Sequence, residues 1–141
     1  MPRFDVRPES FIYSTAFPVV WVDQDAQGHI NHARFLTFFE QARCAFIAEY
    51  GLVVRGGDEG PVIAQAECRY RAQVSYPATL RVYLRSTAIR QSAFRMEYAI
   101  YNETTGELSA DGATLILWVD FRTGQRKSLP EAWLKALQQS Q

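Results

Sequence analysis

Two carboxylates, a glycine and both histidines of this 141-residue chain fall within ten positions, Asp23-Gln24-Asp25-Ala26-Gln27-Gly28-His29-Ile30-Asn31-His32. An apolar pattern at helical spacing follows at once. That order carries a carboxylate loop to the positive end of a helix dipole, a place that suits polarising a carbonyl or holding an anion. Asn31 is the N-cap candidate. The N–H groups of Asn31 and His32 are expected in the first helical turn, where donors without acceptors can form an oxyanion site. Gly28 permits a positive φ or the close approach of a ligand, and a plain turn needs the same freedom. Of the two carboxylates, Asp23 is read as structural, binding loop amides. Asp25 either stays free for chemistry or caps the turn. His29 and His32 lack a cysteine or histidine partner at metal-ligand spacing, so no metal site is expected.

The elements that must position this loop are legible around it. Residues 1–10 are polar with two prolines and read as an arm, leaving residues 11–141 as one domain. Phe11 to Val22 is aromatic and β-branched and predicts a first strand, with Pro18 marking an edge or bulge. A helix is predicted from Asn31 to about Tyr50, with Gly51 placed to end it. Its apolar surface extends nearly all round, through Phe35, Phe38, Phe39, Ala42, Phe46 and Ile47 to Leu36, Cys44, Ala45 and Ala48. A helix of that kind is buried on most sides. Glu40 in its middle needs a partner, either Arg43 at i+3 or a pocket at a subunit boundary.

Residues 55–61 predict a loop. Four period-two runs follow: Val62–Arg71, with Ala64, Ala66 and Cys68 on one face; Thr79–Ile89; Ala93–Asn102; and Leu108–Phe121. Period two with one polar face marks antiparallel strands. A hairpin loop is predicted over 102–106 and a closing helix from Pro130 to about Gln139. The class is therefore α+β: a five-stranded antiparallel sheet curled around one long central helix, with a short C-terminal helix. One exposed sheet face and a single helix leave apolar area that association would cover, so a homo-oligomer is expected.

Composition narrows the classes. Fifteen basic and fifteen acidic residues cancel, which gives no charge argument for nucleic acid or an anionic membrane. Nine phenylalanines, seven tyrosines and three tryptophans suggest a thick core, an interface or an apolar ligand site. Cys44 and Cys68 sit among apolar neighbours and read as reduced core thiols of a cytoplasmic protein. The N-terminal ten residues have no apolar h-region and no run approaches a membrane span.

Across residues 13–135 the sequence resembles the hotdog-fold acyl-CoA thioesterases of the 4-hydroxybenzoyl-CoA thioesterase-like group. The resemblance rests on the aspartate loop Asp23-x-Asp25-x-x-Gly28-His29-x-Asn31. Phe35, Phe39-Glu40-Gln41-Ala42-Arg43 and the ending Val119-Asp120-Phe121-Arg122-Thr123-Gly124 with Leu129-Pro130 support it. Many relatives carry asparagine where His32 stands and tyrosine where Phe35 stands, departures that touch the substrate pocket.

The resemblance implies hydrolysis of an acyl-CoA to a carboxylic acid and CoA, with Asp25 as nucleophile or general base and no cofactor. A carboxylate suits either role because it is ionised at neutral pH. Substrate contacts are implied for Gly28, His29, Asn31, His32 and Glu40. His29 would orient Asp25 or water, or bond the thioester; the alternative is a satisfied loop histidine. His32 is expected to act through its backbone, its ring packing or lining the pocket. Arg90 and Ser92 fall in a turn that contacts CoA in the family; Arg69, Arg71 and Arg81 are further candidates for its phosphates. A dimer or a homotetramer is implied, with active sites at subunit boundaries. Two other classes compete: a hotdog acyl-thioester dehydratase, which needs a histidine facing a carboxylate, and a non-catalytic acyl-CoA-binding protein.

Overall fold

Period-two runs of β-branched and aromatic residues form strands, and here they are β1 (Tyr13–Pro18), β2 (Glu59–Tyr70), β3 (Thr79–Thr87), β4 (Ala93–Asn102) and β5 (Leu108–Asp120). The long apolar helix is α1 (His32–Glu49) and the closing one α2 (Glu131–Gln139). The structure is a computed structural model describing residues 4–52 and 56–141. All five strands pair antiparallel in the order β1-β3-β4-β5-β2. This is the hotdog arrangement expected from the sequence.

Strand register sorts the side chains. Leu84 lies opposite Tyr98 and Val82 opposite Ile100, while Met96 lies opposite Thr114 and Phe94 opposite Ile116. All eight are buried. Phe35, Phe38, Phe39, Ala42 and Phe46 of α1 complete the same core. The Phe39 ring stacks on Tyr98 with centroids 4.3 Å apart. Gly112 sits beneath this stack: a Cβ there would lie 2.2 Å from the Glu67 carbonyl oxygen and 2.8 Å from the Phe39 ring. The close approach of helix and sheet therefore requires glycine at that position. Trp133 of α2 packs on Trp118 and Phe94 and closes the end of the core.

The other sheet face is polar and partly roofed by the N-terminal segment. Asp111 is fully buried and takes Arg69 on one oxygen and Arg71 on the other. Arg85 pairs with Glu97, donates to the carbonyls of Asp5 and Ser10, and lies over the Phe11 ring. Residues 4–10 of the expected arm are thus bound to the sheet, with a 3-10 turn at Pro8–Ser10.

Several expectations are corrected. The first strand ends at Pro18, because proline has no N–H for the ladder; Trp21–Asp23 is a 3-10 turn. β2 begins at Glu59, inside the segment expected to be a loop, where Glu59 accepts from the Trp118 indole. Those hydrogen bonds, from Trp118 and then Lys127, hold the Glu59 carboxyl below its usual range. Arg55 of that segment lies outside the described residues. A bulge between Ile63 and Gln65 breaks the expected alternation of β2, so Ile63 shares a face with Ala66 and Cys68. The helix is not buried on most sides within one chain: Leu36, Glu40, Cys44 and Ala48 are exposed. Cys44 is therefore no core thiol; Cys68 is half-buried, and burial pushes its thiol up to about 11.

Candidate active site

The loop before α1 is a narrow hairpin. Gln24 bridges Ile30, and the Asp25 N–H donates to the His29 carbonyl at 2.9 Å. The Gly28 N–H returns to the Asp25 carbonyl at 3.1 Å, and Gly28 has a φ of 79° with open space beside its Cα. Gly28 therefore serves the turn's left-handed conformation. Asp25 sits at the exposed tip. Its Oδ1 accepts the Gln27 N–H at 2.9 Å, an Asx turn that orients the carboxylate. Its second oxygen has no partner among the described residues.

Asp23 has the opposite environment. It is 2% exposed, and its Oδ2 accepts the Val20 N–H at 2.8 Å. Its Oδ1 takes two N–H groups of Arg34, at 2.9 and 2.6 Å. The two carboxylates divide as expected, one built into the loop and the other presented to solvent.

The helix start lies directly beyond. Asn31 is the N-cap, its side chain accepting the Ala33 N–H at 3.0 Å. Its own N–H goes to the Asp23 carbonyl, and its carbonyl takes the Arg34 N–H. Only the His32 N–H in that turn has no acceptor among the described residues. The expected donor pair, Asn31 and His32, is thus reduced to His32, because the loop itself consumes the Asn31 donor. The His32 ring packs edge-on to Tyr70, whose hydroxyl donates to the His32 carbonyl. Both residues line a cavity of about 260 Å³ with Ile30, Phe35, Arg71 and Gln73. His29 is half-buried, and its ring has no bonding partner among the described residues.

Glu40 lies eight residues along α1 from His32, about 12 Å away. The expected ion pair with Arg43 is absent. Arg43 turns inward and donates to the Tyr98 hydroxyl, which shares a buried hydrogen bond with Thr114. Glu40 has no partner among the described residues. It and Arg43 line two adjoining cavities of about 220 and 270 Å³ between α1 and β2. Their walls include Leu36, Ile63, Met96, Phe94 and Trp133.

Arg90 and Ser92 are not brought to this loop. β3 enters beside Val19, whose N–H meets the Ala78 carbonyl, and runs nine residues before the turn at 88–92. That places the two ends about 30 Å apart. Arg90 is exposed, and Ser92 Oγ accepts from Arg126. Arg69 and Arg71 are committed to Asp111 and Arg81 to Glu103, which leaves none of them as an unpaired anion site. Sequence reading missed Arg34 and Tyr70. Arg34 had a signal: a cation in the first helical turn opposes the dipole and needs an anion. Tyr70 had none, because it reaches His32 only through the strand-to-helix packing.

Among the described residues no cluster could hold a metal ion, and no helix is long and apolar enough to cross a membrane.

Residues 19–137 match the thioesterase-like superfamily. The chain is 31% identical over 121 residues to a 1,4-dihydroxy-2-naphthoyl-CoA hydrolase of Synechococcus elongatus, covering 80% of this chain and 88% of that one. It is 29% identical over 119 residues to an L-carnitine dehydrogenase/betainyl-CoA thioesterase of Agrobacterium fabrum, covering 83% of this chain but 24% of that protein. The crystal structure of a Pseudomonas aeruginosa protein superposes with a TM-score of 0.88 at 26% identity, over 94% of both chains. That of a 1,4-dihydroxy-2-naphthoyl-CoA thioesterase from Synechocystis shares the fold, with a TM-score of 0.84 at 20% identity over 89% of this chain and 94% of that one. With the aspartate loop seated at the start of the central helix and the match running through nearly the whole sheet, this chain belongs to the thioesterase-like superfamily and is a thioester hydrolase.

Proposed function

We propose that the protein hydrolyses acyl-CoA thioesters with Asp25 as the reacting carboxylate and the His32 N–H polarising the carbonyl. One observation carries the reading. Among the described residues, Asp25 is held through one oxygen by Gln27 while the other is unengaged, on a hairpin continuous with a helix start that retains one donor without an acceptor. The loop thus supplies a carboxylate and a backbone donor from one short segment, the two groups that attack on a thioester carbonyl needs.

Two routes use the same parts. As nucleophile, Asp25 adds to the carbonyl carbon, the C–S bond breaks, and the thiolate takes a proton from water. A second water then hydrolyses the mixed anhydride. As base, Asp25 takes a proton from water while the hydroxide adds to the carbonyl, and that proton leaves with the thiol. In both routes charge builds on the thioester oxygen, where the His32 N–H and the helix dipole stabilise it. Gly28 forms the turn, Asn31 sets the helix start, and His29 stands opposite Asp25 to orient the carboxylate or the water.

CoA as the carrier is supported by the two named relatives, one acting on betainyl-CoA and the other on 1,4-dihydroxy-2-naphthoyl-CoA. The groove between α1 and β2 would take the acyl group, with Glu40 in its wall. Arg90 and Ser92 lie a sheet's length from Asp25, so a CoA contact from that turn requires a second copy of the chain. This supports a homo-oligomer, dimer or tetramer, with sites shared between subunits. Turnover on a panel of acyl-CoAs tests the reading: release of free thiol is expected. Water addition without thiol release, or binding without turnover, would refute it.

A further inference from the structure

We infer that Arg34 is a positioning residue for Asp25, an inference that rests on Asp25 being the reacting carboxylate. Arg34 is the third residue of α1, at the positive end of the helix dipole, where a cation is disfavoured unless an anion faces it. The anion is Asp23. Both bonded nitrogens of Arg34 converge on Asp23 Oδ1, and Asp23 Oδ2 is occupied by the Val20 N–H.

The two limbs of the hairpin are held differently. The returning limb, through Ile30 and Asn31, is continuous with the helix, and the Ile30 N–H is pinned to the Val74 carbonyl at 2.7 Å. The outgoing limb carries Asp25 and has no covalent tie to the helix on its side. Among the described residues, Arg34 is the only side chain of α1 that bonds residues 19–25. It fastens the limb two residues before Asp25. The fork therefore acts beside the Asn31 N–H bond to the Asp23 carbonyl, the Asp25 N–H bond to the His29 carbonyl and the Tyr76 N–H bond to Gln24 Oε1, as the one side-chain tie from α1 that helps set the Asp25 carboxylate against the His32 N–H. Arg34 does not itself act on the thioester, because its bonded nitrogens face Asp23. A displacement of about 1 Å in a catalytic group can reduce turnover by about a hundredfold, while binding of a distant carrier is little affected. The effect of losing Arg34 should fall on kcat.

The test compares Arg34→Ala, Arg34→Lys and Asp25→Asn in the full chain, with acyl-CoA hydrolysis measured where circular dichroism shows each variant folded. Arg34→Ala should lose about ten- to a hundredfold in kcat with KM within about threefold. Millimolar guanidinium should restore a large part of that loss, since the Arg34 side chain is 40% exposed and a free guanidinium can enter. The same addition should do nothing for Asp25→Asn. Arg34→Lys keeps the charge but not the fork and should lose at least about threefold in kcat. Should the alanine variant not fold, the lysine variant decides. Parental kcat in any folded Arg34 variant, or a loss that guanidinium does not rescue, overturns the assignment while leaving Asp25 in place if Asp25→Asn is inactive. Parental thiol release by Asp25→Asn removes the Asp25 reading, and this inference with it.

Discussion

Replacing Asp25 by asparagine separates chemistry from architecture at one position. Asp25 Oδ1 accepts the Gln27 N–H at 2.9 Å, and an asparagine carbonyl accepts the same bond. The carboxylate has no ion-pair partner among the described residues, so removing its charge leaves no cation unpaired. The folded state should therefore be unchanged, with a thermal midpoint within about a degree or two of the parent, as for an exposed substitution costing less than about 0.5 kcal/mol. What is lost is the lone oxygen charge that attacks or takes a proton. Acid–base groups contribute about 10²–10⁴ in rate, so kcat should fall at least about a hundredfold, equivalent to about 2.7 kcal/mol of transition-state stabilisation. KM should change little. Asp25→Ala should show the same loss in kcat with an added loss of loop order, because the Gln27 bond also goes. The assay is release of free CoA thiol from an acyl-CoA, read with a thiol reagent. A folded Asp25→Asn protein within about threefold of parental kcat would refute the assignment, whatever the other variants do.

Four further outcomes are expected. His32→Ala should keep most activity, since the donor is its backbone N–H; a loss as large as that of Asp25→Asn would move the role to the imidazole. Gly112→Ala should destabilise by about 1–3 kcal/mol in denaturant unfolding, because the added methyl meets the Glu67 carbonyl and the Phe39 ring; unchanged stability would mean that α1 does not press on β5 as described. Cys68, its thiol raised to about 11, should react about a hundredfold more slowly than an ordinary thiol at pH 8. Because that pKa is raised in the folded state, the favourable contribution of the neutral thiol holds below about pH 9 and is lost as pH rises towards 11. Mass-resolved alkylation reads this, and rapid labelling of Cys68 at pH 8 would contradict it. Light scattering should find at least a dimer; an active monomer of 16.1 kDa would exclude sites shared between subunits.

Much of the molecule was legible in the chain because its signals are local. The 3.6-residue pattern from Asn31, the Asn31 cap and Gly51 bracket the central helix to within a residue. Period two and turn glycines delimit β3, β4 and β5 nearly as well. The same locality explains the errors. A bulge in β2 leaves no mark in composition, and only pairing with β5 reveals that Ile63 and Ala66 share a face. An apolar helix surface suggests burial, but whether Leu36 and Cys44 are covered depends on what packs there, and the described residues of one chain leave both exposed.

For the site, the sequence by itself determined the loop, its two carboxylates and the helix dipole behind them, since all lie within a dozen residues and follow from residue type and spacing. Tertiary structure decided what those groups have left to give. Folding binds the Asn31 N–H to the Asp23 carbonyl and leaves the His32 N–H without an acceptor among the described residues. It turns Arg43 towards Tyr98, 55 residues away, and leaves Glu40 without a partner among the described residues. It draws Arg34 across 11 residues onto a buried Asp23 and sets Arg90 and Ser92 at the far end of the sheet. Hydrogen-bond donors and acceptors are a shared resource of the whole fold, so which of them remain unengaged is a property of the packed chain and not of any segment of it.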